Sequence, residues 1–405
     1  MAESPAIQPE VGTWLASWLE ACAELDRLQA GNPLLDAVID EVDGRRIRIG
    51  ERWLHDFASC NYLGLDIDRE VIEGIPAYLD RWGTHPGWSW MLGVEDALLL
   101  PTLTHIHAAV IPVLADGGTV LLDGRAHKTI HDGAVIARAR GAGLQRFAHD
   151  DPEALERLLR QHPPGPRLIC MDGINSMTGN PPRLAEFAAL ARTYDATLYV
   201  DDGHGFGVVG ERTRGEPCPY GVRGNGVVRH LGEGYDNVVL TAGFSKAYSS
   251  LLAFIACPTP VKRLLKITAP PYLYSGPSPI ASLASTLLGL RVNASRGEEL
   301  RAMIYGKTRR VLDHLDKLGA ATLNTSSFPI IEVPLADADD LDRAGALLFE
   351  RGIYSTLAFY PGVPRQEVGF RLQLTAANTA EQIDELLVVL DELADRGLLR
   401  TSALS

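Results

Sequence analysis

A mostly parallel α/β architecture is predicted by three features of this sequence. Short apolar runs alternate with stretches of helical period between about residues 119 and 256. Three of those runs end on an aspartate. Beyond roughly residue 290 the pattern changes to helices and isolated strands, as in a smaller α+β unit. The expected division is an N-terminal helical segment over 1–50, a large domain over 51–292 and a small domain over 293–405.

Residues 11–30 (VGTWLASWLEACAELDRLQA) read as one amphipathic helix. TVLLD (119–123) reads as a buried strand, with a helix starting near 127. LQRFA (144–148) is the next strand. The helix after it, PEALERLLRQ, is capped by Asp150 or Asp151, with Pro152 and Glu153 suited to its first turn. RLICMD (167–172) precedes the helical RLAEFAALARTY, and ATLYVD (196–201) comes directly after it. The Gly-, Pro- and Arg-rich stretch 210–226 predicts a long loop. NVVLTA (237–242) and LAFIA (252–256) are short strands. In the last third, a helix near 298–318 precedes the strand FPIIEVPL (328–335), the helix DLDRAGALLFERG, the strand RLQLTA and the helix TAEQIDELLVVLDELA.

Composition narrows the function. The 405 residues are 46% hydrophobic and 22% charged, a globular balance. The net charge of −13 comes without a basic block, which argues against nucleic acid or an anionic membrane as partner. No window approaches 18 uninterrupted apolar residues, and the acidic start lacks an apolar h-region, so a cytoplasmic protein is expected. Cys22, Cys60, Cys170, Cys218 and Cys257 form no CxxC pair; buried thiols, not a disulfide framework or zinc site, are the expectation.

Ligands of open parallel sheets bind outside the carboxyl ends of the strands. TVLLD leads to Asp123 and His127, RLICMD to Asp172 and Ser176, ATLYVD to Asp201 and His204, and NVVLTA to Ser245 and Lys246. A lysine and an aspartate on different strands of one sheet suggest pyridoxal 5'-phosphate. The amine forms a Schiff base with the cofactor aldehyde, and the carboxylate keeps the ring nitrogen protonated so that the ring accepts electrons.

VDDGHGFGVVG (200–210) and AGFSKAYSS (242–250) resemble the cofactor motifs of the α-oxoamine synthases, pyridoxal-phosphate enzymes of fold type I. NYLGL (61–65), RFAHDDPEALERLL (146–159), DGINSMTGNPPRL (172–184), YLYSGPSP (272–279) and RLQLTAANTAEQIDELL (371–387) resemble further family motifs, in order, so the likeness spans about 55 to 395. The resemblance implies a fold type I transferase with a small C-terminal domain. It implies that Lys246 is the Schiff-base lysine and proton-transferring base. Asp201 is the partner of the ring nitrogen, His204 that of the phenolic oxygen, and His127 the residue stacked on the ring. Ser176 is a cofactor contact, and Asn61 and Arg371 hold the substrate carboxylate. It implies a homodimer, with the YLYSGPSP segment reaching the neighbouring subunit's phosphate through Ser275.

Three departures from the family pattern stand out. Gly243 replaces a phosphate-binding threonine, leaving Thr241 or Ser245 to substitute. The glycine–aromatic phosphate cradle is replaced by Pro101, Thr102, Leu103, Thr104 and His105, where a helix N-terminus still offers backbone N–H groups. Between 82–93 and 94–101 the chain is shorter than the pattern, and Trp82, Trp88, Trp90 and His85 border that gap. In addition, Asn378 stands where the family has histidine. The expected activity is a decarboxylative acyltransferase joining a small amino acid to an acyl thioester of CoA or acyl-carrier protein. Other fold type I chemistry on an amino acid, transamination or aldol-type bond cleavage, is the alternative; a cofactor-less scaffold subunit is disfavoured by Lys246.

Overall fold

The computed structural model describes residues 30–85, 97–161, 165–216 and 218–402. Its strands are β1 (Glu41–Asp43), β2 (Arg46–Ile49), β3 (Arg52–Asp56), β4 (Ala97–Leu100), β5 (Thr119–Asp123), β6 (Gly143–Phe147), β7 (Arg167–Asp172), β8 (Thr197–Asp201), β9 (Val238–Gly243), β10 (Ala253–Ala256), β11 (Ile330–Pro334), β12 (Ile353–Tyr354), β13 (Thr356–Ala358) and β14 (Gly369–Gln373).

Seven of them form the central sheet in the order β4-β10-β9-β8-β7-β5-β6. Strands β5 to β9 pair in parallel, while β10 runs antiparallel to both β9 and β4. The sheet is therefore parallel apart from one reversed strand. Its register pairs Asp172 with Asp201 and Asp201 with Thr241, which brings the carboxyl ends of β7, β8 and β9 onto one line.

Alternation along each strand sends side chains to opposite faces. Leu121, Ile169, Met171, Leu198 and Val200 join one core with Leu155, Leu159 and Phe187 from the helices Pro152–Gln161 and Leu184–Thr193. Val120, Leu122, Leu168, Cys170 and Tyr199 join another with Ile106, Val110 and Ile130 from the helices Leu103–Ala115 and Lys128–Ala139. Helices thus cover both faces, as continuous apolar strands require.

The third core contains Ile331, Phe370 and Leu386 from the C-terminal part, and also Leu34, Ile47, Leu54 and Phe57. Strand β12 pairs in parallel with β3. Residues 41–43 and 46–49 are strands, not part of a helical segment: they pair with each other and with β3 in a sheet completed by residues 353–354. The helix expected near 298–318 is the second half of a 38-residue helix, Ile280–Lys317, so the division expected at 292/293 falls inside one continuous helix. The expected helix over 11–30 lies outside the described residues, apart from its last position. Among the described residues no helix is long and apolar enough to cross a membrane.

Phe370 is fully buried in the third core. Phe370→Ala should cost about 3–5 kcal/mol, whereas Val388→Ala on the exposed face of the helix Ala380–Asp395 should stay within about 0.5 kcal/mol. Urea unfolding followed by tryptophan fluorescence and circular dichroism checks the contrast; equal losses would contradict this assignment of the core.

Candidate active site

A cavity of about 250 Å³ opens at the carboxyl ends of β7, β8 and β9. It is lined by Thr102, Leu103, Thr104, His127, Asp172, Ser176, Asp201, His204, Ser245 and Lys246, among others. The parallel register explains the gathering. Chain continuity at each strand end delivers one loop to the same rim, so residues far apart in sequence become neighbours.

Asp201 ends β8 and is buried. Its Oδ1 accepts the backbone N–H of Gly203 at 3.0 Å, and its Oδ2 accepts from His107 Nε2 at 2.9 Å. Burial by itself pushes this carboxyl up. His107, through charge and hydrogen bond, and then Lys246 and His127 outweigh it, so the group is held below the usual carboxylate range. Gly203 lies between these groups. A Cβ there would lie 2.9 Å from Lys246 Nζ and 3.2 Å from Asp201 Oδ1.

His204 stands in the loop just after Asp201, with Nδ1 2.8 Å from the hydroxyl of Tyr62. Burial pushes the Tyr62 hydroxyl well above its ordinary range, so it stays protonated and donates to Nδ1. The imidazole proton then sits on Nε2. Burial, Lys246 and Arg371 together keep His204 well below the ordinary histidine range and hence neutral.

His127 caps the helix Lys128–Ala139 from the cavity mouth. Its backbone N–H donates to Asp172 Oδ1 at 3.0 Å, and its Nδ1 lies 2.8 Å from Thr129 Oγ1. Desolvation lowers its pKa, with Lys246 and His107 adding to the effect and Asp201 opposing it. Asp172 has a buried Oδ2 without a protein partner among the described residues. Burial and the charge of Asp201 push its carboxyl well above the usual carboxylate range.

At the other end, Thr102 caps the helix Leu103–Ala115 by accepting the N–H of His105 at 3.3 Å. Ser245 lies beside that N-terminus. Of the two hydroxyls considered as substitutes for the missing threonine, Ser245 lines the cavity; Thr241 is fully buried and donates to Val200 O at 3.3 Å. A side chain at Gly243 would press on Leu103, its Cβ lying 3.1 Å from Leu103 Cδ1.

Three expected contacts lie outside the cavity lining. Arg371 donates from Nη1 to Ser176 O at 2.6 Å, and its Nε is buried without a partner among the described residues. Asn61 presents its backbone to Ser59 Oγ and Arg45. Ser275 turns its hydroxyl onto Pro271 O within its own segment. Asn378 accepts from Thr375 N at 2.9 Å and donates to Asp56 O at 3.2 Å, a turn brace rather than a cavity group. Trp82 is exposed, and His85 contacts Pro277 O at 3.1 Å. Trp88, Trp90 and the shortened stretch lie outside the described residues.

Neither His107 nor Tyr62 stands out from the sequence. His107 sits on the apolar stripe Leu103–Ile106–Val110 of its helix, where a lone histidine in a core pattern is the only signal. A second cavity of about 730 Å³ adjoins the first, sharing His127 and Ser176, and is lined by Arg125, Arg146, Met177 and Val363 among others.

Glu332 faces Arg371 across the β11–β14 pair. Both its carboxylate oxygens are buried without partners among the described residues, and burial with Glu367 nearby pushes it up to about 7. A raised folded pKa means the folded state holds the proton longer, so this stabilisation is complete below the unfolded pKa and is lost as pH rises toward 7. Glu332→Gln should remove that loss, which is on the order of 3 kcal/mol. Melting temperatures of both proteins at pH 5 and pH 8 check it: the variant should gain on the wild type as pH rises. A pH-independent difference would contradict the buried, neutral carboxyl.

The family model for aminotransferase class I and II matches residues 92–390. An 8-amino-7-oxononanoate synthase from Stutzerimonas stutzeri is 31% identical over 402 residues, covering 93% of this chain and 96% of its own. One from Sodalis glossinidius is 32% identical, covering 86% and 90%. Among solved structures, a serine palmitoyltransferase from S. paucimobilis with PLP and myriocin bound superposes with a TM-score of 0.85 at 23% identity, covering 95% of this chain and 99% of that one. By this similarity in sequence, and by the fold it shares with those structures, the chain belongs to the aminotransferase class I and II family and, within it, to the pyridoxal-phosphate-dependent α-oxoamine synthases.

Proposed function

We propose that this protein condenses a small amino acid with an acyl thioester, carried on CoA or an acyl-carrier protein, releasing carbon dioxide and the free thiol and leaving an α-amino ketone. The observation that carries the reading is the convergence of Lys246, Asp201, His204 and His127 on one cavity that shares His127 and Ser176 with a larger one.

The residues present fit pyridoxal phosphate. A primary amine stands beside a buried, ionised carboxylate, a helix N-terminus with Thr104 and Ser245 closes one end, and Asp172 leaves a buried oxygen unpartnered among the described residues. When bound, the cofactor supplies an electron sink for a carbanion at the amino acid's α-carbon. Asp201 would hold a proton on the ring nitrogen by its charge. His204, its proton on Nε2, would donate to the phenolic oxygen. Backbone N–H groups at Leu103 and Thr104, with the Ser245 hydroxyl, would hold the phosphate. His127 borders both cavities and would lie against the ring. Lys246 Nζ would bind the cofactor's aldehyde carbon and serve as the base for the substrate's α-proton. Arg371 and Asn61 serve the substrate carboxylate in this reading. Arg371 has a free Nε for it, but must leave the Ser176 carbonyl to present its full fork.

The larger cavity suits the second substrate. Arg125 and Arg146 lie on its wall beside apolar Met177 and Val363. The direct test supplies single amino acids with and without acyl-CoA or acyl-carrier protein and measures carbon dioxide, free thiol and product mass. Product without any thioester would favour transamination or aldol-type cleavage instead.

Borohydride treatment of the loaded protein should fix the cofactor to Lys246, and Lys246→Ala should fold yet lose this attachment; peptide mapping that labels another lysine would overturn the assignment. Asp201→Asn should keep some cofactor and lose most turnover, because an amide cannot hold the ring proton by charge.

The protein also acts as a homodimer in this reading, with Ser275 of each subunit serving the other's phosphate. A lost charge-assisted hydrogen bond is worth roughly 1.5–3 kcal/mol, so Ser275→Ala should weaken cofactor binding about ten- to a hundredfold. Mixed dimers of Lys246→Ala and Ser275→Ala subunits then contain one site free of both lesions, and activity should partly return. Monomers at working concentration, or silent mixed dimers, would rule out shared sites.

A further inference from the structure

Behind the cavity wall lies a chain of three hydrogen-bonded side chains. Tyr199 and Asp201 are two residues apart on β8, so both face the helix Leu103–Ala115. His107 on that helix is fully buried and bridges them, its Nδ1 2.8 Å from the Tyr199 hydroxyl and its Nε2 2.9 Å from Asp201 Oδ2. The His107 and Tyr199 rings meet edge to face, with centroids 5.8 Å apart and planes at 70°.

Hydrogen-bond logic gives the chain a direction. The Tyr199 hydroxyl is fully buried, and burial and the charge of Asp201 push it well above its ordinary range, so it remains a donor. Its proton goes to His107 Nδ1. The imidazole must then carry its own proton on Nε2 and give it to Asp201 Oδ2, which accepts only while ionised. With Oδ1 accepting from Gly203, both carboxylate oxygens are tethered, and the plane of the group is fixed toward the cavity.

We propose that His107, backed by Tyr199, is a positioning residue that keeps the buried Asp201 carboxylate ionised and oriented for the cofactor's ring nitrogen. The proposal rests on the assignment of Asp201 to that nitrogen. Without the His107 donor, Asp201 would face burial and the neighbouring acid Asp172, with Lys246 and His127 as its remaining cationic or polar partners. A neutral Asp201 could not hold the ring proton.

Two measurements test this, one independent of turnover. In cofactor-free wild-type protein, ¹⁵N NMR of the His107 ring should show a protonated Nε2 and a bare Nδ1. Tyr199→Phe should blur this tautomer preference while the protein stays folded. His107→Phe keeps the ring volume but no donor; its affinity for pyridoxal phosphate should fall about ten- to a hundredfold, the worth of one charge-assisted bond. In the loaded enzyme kcat should fall with the amino acid KM little changed, and His107→Gln, which can still donate, should recover most of both. A proton on Nδ1 in the wild type, or His107→Phe binding and turning over as the wild type does, would overturn the proposal. If His107→Phe fails to fold, the NMR result and Tyr199→Phe decide it. Failure of the underlying assignment looks different: the wild type itself would bind no pyridoxal phosphate, or borohydride would label a lysine other than Lys246.

Discussion

Burying an ionised carboxylate at the end of a central strand is the constraint around which this molecule is arranged. Taking a carboxylate out of water costs several kcal/mol unless donors and positive charge replace the lost hydration. Asp201 obtains them from four separate parts of the chain: His107 on the helix before β5, His127 after β5, the Gly203 amide in the loop after β8, and Lys246 after β9. Each of those groups is placed by the sheet, because only adjacent parallel strands bring the loops after them to one rim. The unfavourable burial and the catalytic geometry thus share one solution.

The loop after Asp201 shows how little room this leaves. Asp202 is fully buried, accepts the N–H of Val227 at 2.7 Å, and is pushed up to about 8 by that burial. A Cβ at Gly205 or Gly226 would lie 2.2 Å or 2.5 Å from its oxygens. Gly226 also has φ +97°, which side chains rarely adopt. The glycine-rich stretches 203–207 and 221–226 are therefore packed against each other around a carboxyl group. The long loop predicted over 210–226 is accordingly a wall of the site's support and not a loose excursion.

Strands 119–123 and 167–172 were legible to the residue without coordinates, as were their alternation with helices and the rim residues Asp201, His204, Lys246, His127 and Ser176. Buried parallel strands are continuous apolar runs, and the residues immediately after each run must lie at the carboxyl edge. Other features emerge only when the chain is folded. Residues 41–49 read as part of an N-terminal helical segment, yet they are strands of one sheet with residues 52–56 and 353–354, because backbone pairing is indifferent to distance along the chain. The helix beginning near 298 in sequence starts at Ile280, and its first half buries Ile280, Ala284, Leu288 and Val292 at a spacing of four residues. Asn378, at a family histidine position, is spent on bracing a turn. His107 looked like one more core position on an apolar helix. Its chemistry comes from facing Tyr199 and Asp201 across the sheet surface, a contact between residues 92 and 94 positions apart that no local pattern encodes.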